Sequence, residues 1–114
     1  MAKTAIPDAL KRRHLMEQEA DEQQSLALAE AYLEAGRVQE AISFLAKAGA
    51  TTKLEDLADR AVAEGDAFLL KQIGDLLARE YESATWLSLA DAAEAHGKIL
   101  YAEAARRQAR TSEA

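Results

Sequence analysis

The sequence predicts an all-α protein built from paired helices, and three observations carry that expectation. Alanine fills 27 of 114 positions, and Leu, Glu, Lys, Arg and Gln supply much of the rest; these are the strongest helix formers. No stretch alternates apolar and polar residues as a half-buried strand would. Three glycines, Gly36, Gly65 and Gly97, anchor a pattern that recurs along the chain. Internal repetition at this period marks stacked helical units.

Length and composition set the outer bounds. A chain of 114 residues fits one domain with a modest core. There is no cysteine, which excludes disulfides, thiolate chemistry and sulfur-ligated metals and suits a reducing, cytoplasmic setting. The stretch from Met1 to Pro7 has no apolar run of signal-peptide length, and no run is long enough to span a membrane. A soluble, cytoplasmic protein is the expectation.

The net charge of −6 is unevenly spread. Residues 17–94 hold 17 acids against 6 bases, while residues 1–16 balance at +3 and residues 95–114 at +2. So acidic a middle repels a polyanion at long range. Nucleic acid is therefore not an expected partner.

The repeat is read from the three glycines outward. Eight residues before them stand Leu28, Leu57 and Leu89, and seven before, Ala29, Ala58 and Ala90. Four before come Tyr32, Ala61 and Ala93; eleven before, Ser25, Leu54 and Trp86. Five after come Ala41, Leu70 and Ala102; twelve after, Ala48, Leu77 and Ala109. The four leading positions fall on one stripe of a helix. The glycine ends that helix, and the trailing positions mark the inner face of a second. Each pair leaves apolar surface it cannot bury alone, so stacking must complete the core.

This spacing resembles the tetratricopeptide repeat. The third copy reads Trp86-x2-Leu89-Ala90-x2-Ala93-x3-Gly97-x4-Ala102, and the first Leu28-Ala29-x2-Tyr32-x3-Gly36-x4-Ala41-x3-Leu45-x2-Ala48. The resemblance implies a right-handed α-solenoid of about three stacked αα-hairpins, preceded by one extra helix. It departs from the family in period, with anchors 29 and 32 residues apart against about 34. It also lacks the closing proline, and the position nine after the glycine is Leu45, then Gly74 and Arg106. Coat-type helical repeats are the near alternative.

Taken in order, a leading helix opens near Pro7, which is tolerated in a first turn. Its inward candidates are Ile6, Leu10, and His14 or Leu15. The leading helix is expected over 1–21, with a break near Asp21 as cap. The alternative is that it runs on, since Asp21 to Gln24 contains no breaker. Hairpins follow over 22–49, 52–80 and 83–110. Thr52-Lys53-Leu54-Glu55 has the form of a capping box. Asp66 and Ser83 are further cap candidates. Gly74 inside the fifth helix marks a weak point or a close approach, and the seventh helix ends near Arg110.

Catalytic patterns are absent from the sequence. No Glu-x-x-His, His-Glu-x-x-His, Gly-x-Ser-x-Gly or glycine-rich phosphate loop occurs. His96 precedes Gly97 at a helix end, where an imidazole suits terminal carbonyls, and His14 sits on a basic face. The weak helix-turn-helix hint at Ala61-x3-Gly65 belongs to the repeat. Trp86 and Tyr32 occupy repeat-core positions. No enzyme, cofactor or metal site is expected.

In tetratricopeptide-like folds the first helix of each hairpin lines a concave groove, and the resemblance projects that groove here. It implies partner-binding residues Leu26, Glu30, Leu33 and Glu34, then Glu55, Asp59 and Val62, then Leu87, Asp91 and Glu94. The set is acidic and apolar, without Lys or Arg. The implied partner is a protein or peptide segment, basic and amphipathic, steered by the acids and held by Leu26, Leu33, Val62 and Leu87. The competing reading is that these acids merely keep the helices soluble. Ile99, Leu100 and Tyr101 on the last helix either turn inward or form a homodimer seam. A scaffold module is thus the expected function; a self-assembling helical subunit and a small helical-bundle enzyme are the alternatives.

Overall fold

The computed structural model describes the backbone of residues 9–113 and the side chains of residues 17–112. Among the described residues there are six helices and no strand. The chain divides into two compact units, one ending at Ala50 and the other beginning at Thr51. No helix is long and apolar enough to cross a membrane among the described residues.

The first unit pairs α1 (Ala9–Glu34) with α2 (Val38–Lys47). The expected break at Asp21 does not occur, so the separate leading helix over 1–21 is replaced by a continuous α1 of 26 residues. Asp21-Glu22-Gln23-Gln24 offers neither Gly nor Pro, and the capping preference of one aspartate does not outweigh three good helix formers. The proposed start at Pro7 and the side chains of Ile6, Leu10, His14 and Leu15 lie outside the described residues. Residues 17–24 are all exposed.

Packing in this unit rests on small residues. Ser25, Ala29, Ala41, Ile42 and Leu45 are buried, and the alanines allow α1 and α2 to approach closely. The Tyr32 ring stacks on Phe44 at 5.5 Å between centroids. The Arg37 guanidinium lies over the same ring at 5.2 Å, a cation–π geometry. Arg37 also donates twice to the Glu40 carboxylate, at 3.0 and 3.3 Å. A hydrogen bond from its own backbone N–H, and then Arg37, hold the Glu40 carboxyl below its ordinary range.

Among the repeat positions Tyr32, Ala48 and Leu77 are half-buried, and Leu28 departs furthest from the pattern. Leu28 is 40 % exposed, whereas Leu57 and Leu89 are buried. Within the first unit α1 has a single partner helix, and α2 covers only the face that carries Ser25 and Ala29.

The second unit holds α3 (Thr51–Glu64), α4 (Ala67–Leu77), α5 (Ser83–Ala95) and α6 (Ile99–Glu113). α3 packs on both α4 and α5; α6 packs mainly on α5 and touches α4. Among the described residues α3 and α6 do not meet, so each of them packs only on α4 and α5. The interior contains Leu54, Leu57, Leu70, Ile73, Trp86 and Leu89, interleaved with Ala58, Ala61, Ala90, Ala93, Ala102, Ala105 and Ala109.

Helix ends are closed mainly by the backbone. At Gly36, Gly49, Gly65, Ala78 and Gly97 the same two bonds recur: the N–H of that residue donates three residues back, and the next N–H donates five back. This is the Schellman motif. Asp66 adds a side-chain cap, its Oδ1 accepting from the Leu69 N–H at 3.0 Å. Two other cap candidates are displaced. α3 already begins at Thr51, which puts Thr52 inside the first turn. Glu82, not Ser83, is the N-cap of α5.

Two close approaches set the geometry of the second unit. Gly65 has φ +77°, and a Cβ there would stand 2.3 Å from the Ala93 Cα. The end of α3 therefore lies directly against α5. Beyond it, Lys98 Nζ donates to the Glu64 carbonyl at 3.0 Å, a cation on the negative end of α3. At Gly74 a Cβ would stand 3.0 Å from both the Arg79 carbonyl oxygen and the Tyr81 Cε2. The large side chain missing at that repeat position is thus replaced by the Tyr81 ring. Arg106, the third copy's departure, is only partly exposed and sends its guanidinium to Glu94.

The turn residues yield a paired expectation. Gly65→Ala adds left-handed strain to a backbone clash and should lower stability by about 2–4 kcal/mol. Ala78 holds φ 52° without being glycine, so Ala78→Gly should raise stability by roughly 0.5–1 kcal/mol. Urea unfolding of the two variants beside the parent checks both signs.

Candidate binding faces

The implied groove residues fall on two faces. On α1, Leu26, Glu30, Leu33 and Glu34 follow one stripe, with both leucines half-buried and both glutamates exposed. These four belong to the first unit, and the other six belong to the second.

In the second unit the register follows from the Gly65–Ala93 contact, 28 positions apart. At that offset Asp59 of α3 stands level with Leu87 of α5, and Ala63 with Asp91. The Arg79 guanidinium sits 3.6 Å from Glu55, at the opposite end of the two helices. α3 and α5 therefore run side by side in the same direction. Asp59 and Asp91 are exposed, Val62 is half-buried and Leu87 is exposed. Two acids and two apolar side chains thus remain accessible on neighbouring helices.

The other two acids are engaged. Glu55 pairs with Arg79, and Glu94 accepts from Arg106 of α6. Both pairs are well exposed, so each contributes little to stability, yet each draws its carboxylate away from the face. Asp59, Val62, Leu87 and Asp91 thus stay accessible on two helices that pack on each other, while Glu55 and Glu94 pair with Arg79 and Arg106.

A second concavity was not foreseen from the sequence. α4 and α6 run in the same direction and leave a trench between them, comprising two joined recesses of about 430 and 270 Å³. Lys71, Trp86, Gln108 and Thr111 line both. One end opens between Phe68 and Tyr101. The other ends at Tyr81, whose carbonyl accepts from Ser112 Oγ at 3.3 Å. Tyr81 also meets Trp86 edge-on, with ring centroids 6.4 Å apart. The signal that could have located it is Gly74, a glycine where the repeat expects bulk, followed by two aromatics flanking the next turn.

The Tyr81 hydroxyl is buried without a hydrogen-bond partner among the described residues. Burial pushes the phenol above its ordinary range; Arg79 opposes that shift, while Glu55 and Asp59 add to it. Among the described residues no three His, Asp or Glu side chains converge as metal ligands. His96 caps the end of α5 and is exposed.

Compared with known proteins, the chain matches no family model, no curated sequence and no solved structure.

Tyr81→Phe removes a buried donor that nothing satisfies and should raise stability by about 1 kcal/mol. With a raised folded-state value, the unfolded chain gives up this proton first, so stability falls as pH climbs past the ordinary value of 10.0. The parent should therefore lose stability above that pH more steeply than Tyr81→Phe, as measured by thermal melts across the alkaline range.

Proposed function

We propose that this chain is a non-catalytic interaction module, a cytoplasmic scaffold whose stacked helical hairpins form a right-handed, tetratricopeptide-like α-solenoid. Its partner is a basic, amphipathic protein segment. The observation that carries this reading is the accessible set Asp59, Val62, Leu87 and Asp91 on the side-by-side helices α3 and α5. Acids placed beside apolar side chains steer a cationic segment and then bury its apolar face. Leu26, Glu30, Leu33 and Glu34 of the first unit offer, on their own, a similar mix of acids and apolar side chains on α1. Burial at most of the glycine-anchored positions supports the repeat reading.

A labelled Lys/Arg-rich amphipathic peptide should bind at low salt and release as ionic strength rises. The double variant Asp59→Asn, Asp91→Asn should weaken it about tenfold. A peptide that never binds at low salt, or binds regardless of salt and variant, removes the reading.

One observation favours self-assembly as the second reading. Leu100 is 78 % exposed and Ile99 55 % exposed, so with Tyr101 they offer an apolar seam for a second copy. Sedimentation equilibrium over a wide concentration range should then show a dimer that Leu100→Glu abolishes. A monomer at every concentration rejects it.

A further inference from the structure

We propose that the trench between α4 and α6 docks an acidic peptide segment bearing one aromatic or large aliphatic side chain. This surface is distinct from the α3–α5 face and takes a partner of opposite charge.

Shape comes first. The trench spans twelve residues on each side, from Ala67 to the α4 cap Ala78 and from Tyr101 to Ser112. At about 1.5 Å rise per helical residue it is roughly 16 Å long, the reach of about five extended residues. At one end Phe68, 57 % exposed, and Tyr101, 39 % exposed, flank an opening above the Trp86 side chain. Three aromatic rings around one notch fit a single large apolar side chain.

Charge selects the rest of the occupant. The second unit holds 12 acids and 8 bases from Thr51 onward, yet no acid lines the half of the trench beside Phe68. That half presents Lys71 and Arg107 instead. Lys71 pairs with Asp75 at 3.5 Å, whereas Arg107 and Arg110 make no ion pair among the described residues; with Arg106 and Glu103 they flank an adjoining hollow. Gln108 and Thr111, midway along the trench, suit the polar backbone of a bound strand. Asp75 and Glu80 line the half towards Tyr81, but bases outnumber acids along the trench and its adjoining hollow, and the half around the aromatic notch carries bases alone; that balance complements an acidic segment with one bulky anchor.

Other occupants fit less well. The acidic stretch of α1, residues 17–24, carries no aromatic or branched apolar residue to fill the notch, so it is not the intended segment. A bilayer engages a protruding apolar face, whereas these rings flank a recess.

The test uses the full chain and two fluorescein-labelled six-residue peptides. One has a central phenylalanine flanked by aspartates and glutamates; the other has lysines in place of the acids. Fluorescence anisotropy should show saturable binding of the acidic peptide, at least about tenfold tighter than the basic one. Arg107→Glu and Phe68→Ala, both at exposed positions, should each weaken it about tenfold, with unchanged circular dichroism melts. Asp59→Asn should leave it intact, which separates this site from the α3–α5 face. Absence of saturable binding, equal affinity for the two peptides, or insensitivity to Arg107→Glu would overturn the proposal. So would preferential co-sedimentation with phosphatidylserine vesicles that Arg107→Glu abolishes while the acidic peptide fails to bind.

Discussion

The second unit depends on one approach of backbone to backbone. Where α3 ends, Gly65 lies so near the Ala93 main chain that no side-chain carbon fits between them. Two constraints meet at this residue: the left-handed turn that closes α3, and the contact that fixes how far α5 is shifted along it. Burial of Leu57, Ala61, Leu89 and Ala90 follows from that shift, because their stripes face each other only when the two helices are in register. Lys98 reinforces the same end by reaching across to the Glu64 carbonyl. Alanine at Ala93 is therefore as much a part of the turn as the glycine it faces.

Much of this was legible in the sequence, and the reasons are local. The glycine anchors foretell chain reversals because few other residues adopt that backbone geometry cheaply. The positions four, seven, eight and eleven before each glycine foretell burial because they share one helical stripe. Asp66 was readable as a cap because its side chain needs only the adjacent turn. Ala78 was not, since nothing in an alanine announces a left-handed conformation; it is imposed by the short reach from α4 to Tyr81.

The misreadings share a cause. Asp21, Thr52 and Ser83 have the chemistry of caps, but a cap preference of about 1 kcal/mol decides a helix start only where the surrounding residues are neutral. Around Asp21 strong helix formers continue the turn, and α3 and α5 begin a residue or more earlier than their candidate caps imply. Leu28 illustrates a different limit: periodicity says which residues share a stripe, not whether a neighbour is present to cover it. The acidic face was partly readable for the same reason. Helical spacing located Asp59 and Asp91, while the capture of Glu55 by Arg79 and of Glu94 by Arg106 depends on residues from other elements.

Closure of these helices by main-chain bonds, rather than by particular side chains, has a bearing on how such a protein changes over time. Most reversals require only that one residue tolerate a left-handed backbone, and most of the close packing requires only that certain side chains stay small. Outward-pointing positions are consequently under little architectural demand. Their charges and apolar groups are at liberty to be exchanged, so an architecture of this kind can acquire new recognition chemistry while its skeleton persists.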